Sequence, residues 1–389
     1  MANNAPGRHY RKSITVEQIH RMFSTDKKAE KWFIEARWGK EGDMFCPRCG
    51  STKTKRVKHP TMPFHCGDCR KRFSVKTGTV MESSKIPLRQ WAVLVYTEAT
   101  ELRGTPSMKL HRDVGITQKS AWFMLHRIRE SYASMCEGLL EEGGLQGSIE
   151  LDETAVGGKA SLMNKKQHRA FKARGGAQGF SGKEIIAGAK QRESGKIVVR
   201  QIDNRDRESL QKLVTDFTAE GATVYTDEAR GYKGMENRTH QAVNHSANKY
   251  VMGQAHTNGM ESFWFAFKRG LDSFISVSPK HVIRYAIEFA GRHNDRPLDT
   301  MEQMRLLACG MVGKRLTYKD LIADNGRSNF AKPVAGSDEE QVLKMKQAER
   351  EALKDPNCWD LGIPPEWVEG YEGTTGIGNC NTAREWGKE

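Results

Sequence analysis

Ile149-Glu150-Leu151-Asp152-Glu153-Thr154-Ala155-Val156-Gly157-Gly158 is the stretch on which the fold turns. Ile149 and Leu151 alternate with Glu150 and Asp152, so a strand here points two apolar side chains one way and two carboxylates the other. A carboxylate on an otherwise buriable strand is costly unless something compensates it, and a bound cation is the usual compensation. Gly157 and Gly158 let the backbone turn away from whatever the acids hold. An edge strand with a solvated polar face fits the same pattern, and the stretch alone does not choose.

The surrounding chain does choose. At 389 residues it predicts two or three domains and a substantial core. The 62 Lys+Arg against 48 Asp+Glu leave a net charge of +14. Residues 329–389 hold 7 basic and 12 acidic residues, so the preceding 328 carry +19. That bias predicts a polyanionic partner, nucleic acid first and an anionic membrane second. No apolar run is long enough to span a bilayer, and Met1-Ala2-Asn3-Asn4-Ala5 lacks the apolar centre of a signal peptide, so the expected location is the cytoplasm. Eight cysteines in that compartment mean metal before disulfide.

Residues 1–40 read as helical, opening at Ser13-Ile14-Thr15 and again at Ser24-Thr25-Asp26. Within 41–80, Cys46-Pro47-Arg48-Cys49 and Cys66-Gly67-Asp68-Cys69 give the spacing C-x2-C-x16-C-x2-C of a four-thiolate Zn2+ site. Lys53, Lys55, Arg56, Lys58, Arg70, Lys71, Arg72 and Lys76 surround it against one acid, Asp68, which is a zinc ribbon dressed for phosphate. Residues 81–138 read as a helix over 87–103, then a short helix capped by Ser107, a turn at Gly115, and a helix from Gln118 to Tyr132 capped by Thr117. Helix, glycine turn, capped helix is the helix-turn-helix pattern. It puts Gln118, Lys119 and Ser120 at base edges and Arg127 and Arg129 nearer phosphates; the alternative is an ordinary helical hairpin.

From Ser148 the period becomes that of strands. Lys159 to Arg174 carries six basic residues and no acid, and reads as a solvated loop or one that touches DNA. A hairpin over 183–191 and 196–202, a helix over 205–217 and a short strand ending on Asp227 give a mixed α/β domain over 146–325. In His256-Thr257-Asn258-Gly259-Met260-Glu261-Ser262-Phe263-Trp264-Phe265-Ala266-Phe267-Lys268, helical spacing sets Glu261 and Lys268 on one face and Phe263 and Phe267 on the other. Asn258-x-x-Glu261 also reads as a capping box, in which Glu261 merely satisfies a backbone N–H.

Taken in order, these motifs resemble the bacterial insertion-sequence transposases of the ISXO-like, zinc-ribbon DDE group. The resemblance covers roughly residues 25 to 320: the two cysteine pairs, Gly115-Ile116-Thr117, Ala121-Trp122, Met124-Leu125-His126-Arg127-Ile128-Arg129, the strand around Asp152, the run into Asp227 and the helix around Glu261. It implies an α/β RNase H-like catalytic core with N-terminal zinc ribbon and helix-turn-helix DNA-binding modules. It also implies that Asp152, Asp227 and Glu261 hold two Mg2+ or Mn2+ ions, that Asn258 shares or replaces the role of Glu261, and that Lys268 is the basic residue after the third acid. The expected partners are the element's terminal inverted repeats, target DNA and further copies of the chain in the complex that pairs the ends, with no membrane.

The chemistry asks for these residue types. Attack on a phosphodiester develops charge on both attacking and leaving oxygens, and two divalent ions roughly 3.5–4 Å apart serve both in one in-line displacement. Hard oxygen ligands suit Mg2+, whereas imidazole and thiolate do not. Water at such a site frees a 3′-hydroxyl, which then attacks target DNA without ATP. Lys268, and with it His256, is expected near the scissile phosphate. Two other readings keep the same fold: a zinc-ribbon regulator that no longer cuts, and a junction nuclease. The retained acids speak against the first. Residues 326–389 read as an acidic tail, helical over Asp338 to Lys354, with Cys358 and Cys380 in no motif, while Cys136 and Cys309 read as small buried hydrophobes.

Overall fold

The computed structural model describes residues 13–39, 44–141, 143–157, 165–173, 183–227, 230–232, 238–243, 257–323 and 332–333. Expectations for His256, Gly158 and the tail lie outside them.

Thr15 opens α1 (Val16–Met22) with a reciprocal capping box: its hydroxyl accepts from the Gln18 N–H while the Gln18 side chain accepts from the Thr15 N–H. Thr25 opens α2 (Asp26–Trp38) in the same sense through the Lys28 N–H. The ribbon follows as a three-stranded antiparallel sheet of β1 (Thr54–Arg56), β2 (Phe64–Cys66) and β3 (Arg72–Phe73). Trp38 sets its ring edge-on to Phe64 and Phe73, with centroids 6.4 and 6.5 Å away. Arg37 donates to the carbonyls of Val75 and Thr77, both at 2.8 Å, so α2 is tied to the chain leaving the ribbon.

Three helices come next: α3 (Leu88–Thr100), α4 (Ser107–Val114) and α5 (Gln118–Glu141). Ser107 does not cap α4: it is the first helical residue, and the N-cap position is Pro106, which has no side-chain hydrogen bond to offer. Gly115 ends α4 at φ +69°, a left-handed conformation that a side chain would strain. Thr117 caps α5, accepting from the Ser120 N–H at 3.2 Å.

The mixed sheet is built from β4 (Ser148–Val156), β5 (Glu184–Gln191), β6 (Ile197–Ile202), β7 (Thr223–Asp227) and β8 (Thr239–Val243), in the order β6-β5-β4-β7-β8. The three on the β6 side run antiparallel, while β4, β7 and β8 are mutually parallel. α6 (Lys165–Ala173) interrupts the basic stretch read as a loop, and α7 (Arg207–Phe217), capped by Asp206, crosses from β6 to β7. The chain then forms α8 (Asn258–Leu271), α9 (Val282–Asn294), α10 (Thr300–Gly310), β9 (Lys314–Arg315), α11 (Tyr318–Ile322) and β10 (Lys332–Pro333), which pairs with β9. β4 runs up to the turn at Gly157, with Asp152 at its middle. Among the described residues no helix is long and apolar enough to cross a membrane.

Alternation along β4 sorts the two faces of the sheet. Ile149 and Leu151 join Ala187, Ala189, Val198 and Val224 against Leu210, Leu213, Val214 and Phe217 of α7. The opposite face, with Val156, Ile186, Ile197 and Val199, receives α8 and α9. That second core runs on without a break through α5, α3 and α10 to α2 and the ribbon. A layer of buried ion pairs crosses it. Arg129 donates to Glu288 at 2.7 Å; Arg292 donates to Glu288 at 2.9 Å and Glu98 at 2.7 Å; Arg284 pairs with Glu130. Each of these charges depends on its neighbours, because one left alone there has no water to turn to.

Candidate functional site

Two tight turns build the ribbon's metal centre. In the first the Gly50 N–H donates to Cys46 O at 2.8 Å, and in the second the Cys66 N–H donates to Lys71 O at 3.0 Å. The sulfurs of Cys46 and Cys69 lie 3.7 Å apart, those of Cys49 and Cys66 3.6 Å, and all four fall within 4.8 Å of one another. A tetrahedron with metal–sulfur bonds of about 2.3 Å has edges of about 3.8 Å, so the cluster fits one Zn2+. Burial pushes the Cys46 thiol up to about 12, which a cation would reverse. His59 and His65 are outside this set, as four thiolates already close it.

The two turns differ at the residue that follows the second cysteine of each pair. Four positions after its leading cysteine each turn becomes left-handed; the first uses Gly50 at φ +69°, the second Arg70 at φ +56°. An arginine there costs on the order of 1–2 kcal/mol relative to its ordinary conformations. Arg70, Lys71 and Arg72 are all exposed, and with Arg48, Met62 and His65 they line an open groove on the ribbon.

At the helix pair, the first turn of α5 faces solvent, whereas Met124 to Ala133 are buried. Gln118 and Lys119 are exposed; Gln118 donates to Ser107 at 2.9 Å, and the Lys119 ammonium sits 4.6 Å from the Tyr318 ring centroid. Arg127 and Arg129, expected nearer phosphates, are inside. Arg127 donates to the Leu316 carbonyl at 3.2 Å and lies over Phe123; burial, then Arg315, draws its pKa down to about 10. Arg129 is spent on Glu288. Beyond its first turn α5 is packed by α4, α9 and α10, which leaves no outward face for either guanidinium.

α8 crosses the sheet on the face that bears Glu150 and Asp152. Pairing of β4 with β7 sets Ser148 opposite Thr223, Ile149 opposite Val224 and Glu150 opposite Tyr225. Continuing this register two residues brings Asp152 level with Asp227, the last residue of β7. Asp152 is half-buried and accepts from the Glu153 N–H at 2.8 Å. Its partner on β5 is Gly188, where a Cβ would stand only 2.5 Å from the Met260 methyl and 2.9 Å from Trp264. The absent side chain is what lets α8 lie down beside the Asp152 row. Glu261, in the first turn of α8, is exposed and accepts from the Thr257 hydroxyl at 3.3 Å. Asn258 and Lys268 are exposed on the same helix. The capping-box alternative for Asn258 and Glu261 is not formed, since the N-cap is Thr257 and Asn258 is already the first helical residue.

Glu150 has a role that the sequence did not reveal. It is 2% exposed, accepts from Arg192 at 2.9 Å and from the Met260 N–H at 3.1 Å, and so receives the start of α8. Arg192 in turn lies 3.9 Å from the Tyr225 ring centroid. A Cβ on Gly259 would fall 2.5 Å from Glu150 Oε2 and 2.7 Å from Lys190 Nζ, so this glycine is needed for the approach. Burial lowers the Lys190 pKa, with Glu150 pulling the other way. The available signal was the pair of glycines, Gly188 and Gly259, at the crossing; their partners are too distant in sequence to be read. Glu153 points to the opposite face, accepting from Arg205 at 2.7 Å and from the Tyr232 hydroxyl.

Comparison with known proteins matches residues 144–294 to the ISXO2-like transposase domain and residues 24–72 to the transposase zinc-ribbon domain, together just over half of the 389 residues. The chain is also 25% identical over 279 residues to an uncharacterized protein in transposable element ISH50 of Halobacterium salinarum, covering 69% of this chain and 91% of that protein. The first match encloses Asp152, Asp227 and Glu261, and the second encloses all four cysteines.

Proposed function

Since the chain belongs to the zinc-ribbon, ISXO2-like transposases, we propose that it binds the terminal inverted repeats of an insertion sequence and cuts and joins DNA by metal-dependent phosphodiester chemistry. What supports this is the parallel pairing of β4 with β7, which, continued two residues past Glu150 and Tyr225, sets Asp152 level with Asp227, while α8 starts beside β4. Strand order supports an RNase H-like core: an antiparallel trio, two further parallel strands, and a helix bearing the third acid.

In this reading Asp152, Asp227 and Glu261 hold two Mg2+ or Mn2+ ions, for which hard carboxylate oxygens are the fitting donors. Such ions activate the attacking oxygen and neutralise the leaving one. Asn258 supports or substitutes for Glu261, and Lys268 holds a phosphate near the cut. Glu150 and Arg192 position α8, and with it Glu261, without touching substrate. Arg70, Lys71 and Arg72 follow the phosphate backbone, and Gln118 and Lys119 approach base edges from the exposed first turn of α5, in helix-turn-helix fashion. Two copies of the chain hold two element ends together.

The test is divalent-metal-dependent joining of end-bearing oligonucleotides to a plasmid by the full chain. Asp152→Asn, Asp227→Asn and Glu261→Gln should each abolish nicking and strand transfer while end binding survives. A wild-type chain that binds ends but never cuts them would make it a regulator; cutting of branched junctions without joining would make it a resolving nuclease.

A further inference from the structure

Buried residues of α8 follow the expected apolar stripe: Met260, Phe263, Trp264 and Phe267. One aromatic is on the other side. Phe265 is 67% exposed, although its neighbours Trp264 and Phe267 are almost fully buried. An exposed aromatic on a helix whose apolar positions are already filled adds nothing to that core, and its ring is open to a partner.

Its place on the helix says what kind of partner. At 3.6 residues per turn, Asn258, Glu261, Phe265 and Lys268 fall within about 80° of one another on one stripe, and all four are exposed. Along the axis Phe265 stands about 6 Å beyond Glu261 and about 4.5 Å before Lys268. Glu261 and Lys268 are thus about 10.5 Å apart along the helix axis, roughly three base steps of a DNA strand at 3.4 Å each. Arg269 is exposed next to this stripe. A strand whose phosphates run from Glu261 to Lys268 passes Phe265, which lies between them on the same exposed stripe. Any base will serve, because every base has a π face and stacking on an aromatic ring is tolerant of sequence.

We propose that Phe265 stacks on a nucleobase beside the phosphate that is cut, fixing the strand between Glu261 and Lys268. This rests on the reading of the site given above and adds to it a substrate-positioning residue. No chemical step passes through the ring.

The experiment uses the full chain and element-end oligonucleotides carrying 2-aminopurine, one position at a time, at the nucleotides flanking the cut. In the Asp152→Asn background the DNA stays intact. Binding should quench one position, and adding Phe265→Ala should remove that quenching while Phe265→Trp keeps it. In the otherwise native chain, Phe265→Ala should slow cutting about ten- to hundred-fold, the range expected when one base loses its stacking platform. An abasic nucleotide at the quenched position should slow the native chain by a similar factor and the Phe265→Ala chain no further. Quenching that ignores Phe265, or abasic and alanine penalties that multiply, overturns the proposal. So does a change of oligomeric state in Phe265→Ala with unchanged fluorescence, which would give the ring to a second copy of the chain. Cutting that persists in Asp152→Asn defeats the reading of the site instead, and the fluorescence arm still decides Phe265.

Discussion

Glu150 and Asp152 are two residues apart on one strand face, yet burial gives them opposite duties. Glu150 is closed in by Arg192 and the Met260 N–H, whereas Asp152 stays half-open beside Gly188. Glu150→Ala should therefore cost about 2–4 kcal/mol, because it strands the Arg192 guanidinium and an N–H at the start of α8. Asp152→Asn should leave thermal stability unchanged or slightly raised, since neighbouring carboxylates repel when no cation separates them. Thermal unfolding of the two variants without divalent ions checks the contrast; equal losses would place Asp152 among the structural acids. Arg70 makes a second case. Arg70→Gly relieves about 1–2 kcal/mol of left-handed strain but adds the entropy cost of glycine, about 0.5–1 kcal/mol, so stability should barely move. DNA affinity should fall, with the log–log salt slope flattening by about 0.9 for each phosphate no longer neutralised. An unchanged slope would turn Arg70 toward solvent.

At the scale of elements, the ribbon was the most legible part. Four cysteines at fixed spacing specify their own geometry, and the sulfur distances bear that out. β4 was legible too, because Ile149 and Leu151 report one face and the acids the other. α5 was not. Its expected outward arginines are buried because α9 and α10, more than 150 residues later, supply Glu288 and cover the helix, and local periodicity cannot see that. β8 was missed for a related reason: its five residues carry a single valine and gain strand character only by pairing with β7. The division into ribbon and core predicts separable failure. Cys49→Ser should release the metal, whose apparent binding energy in such peptides is about 10–16 kcal/mol, and end binding should be lost with it. The mixed sheet should stay folded by far-ultraviolet circular dichroism. A variant that keeps one equivalent of zinc and normal end binding would remove the four-thiolate assignment.

Across the whole molecule, the helices that would meet DNA and the sheet that carries the acids share one core, and the ion layer between α3, α5 and α9 locks them in one arrangement. The two acids of that layer are not equivalent. Burial opposes the charge on both. Arg129 and Arg292 outweigh it at Glu288 and hold that carboxyl below its ordinary 4.5, whereas at Glu98 burial wins and the carboxyl is raised. Stability drawn from Glu288 is thus present above pH 4.5 and is lost as the pH falls below it; for Glu98 the sign reverses, and stability declines as the pH rises through its ordinary value. Glu288→Gln should cost about 3–5 kcal/mol near pH 7, because it removes the one carboxylate shared by two buried guanidiniums. Glu98→Gln should cost clearly less, since a neutral side chain is closer to what that site favours. Urea unfolding of both variants gives the comparison, and added salt should rescue neither, as screening does not reach a buried pair. Because α5 and α9 are joined through Glu288, the loss in that variant should lower end binding and cutting together, in one cooperative transition. Cutting lost with end binding intact would mean that the two surfaces are not rigidly coupled through this layer.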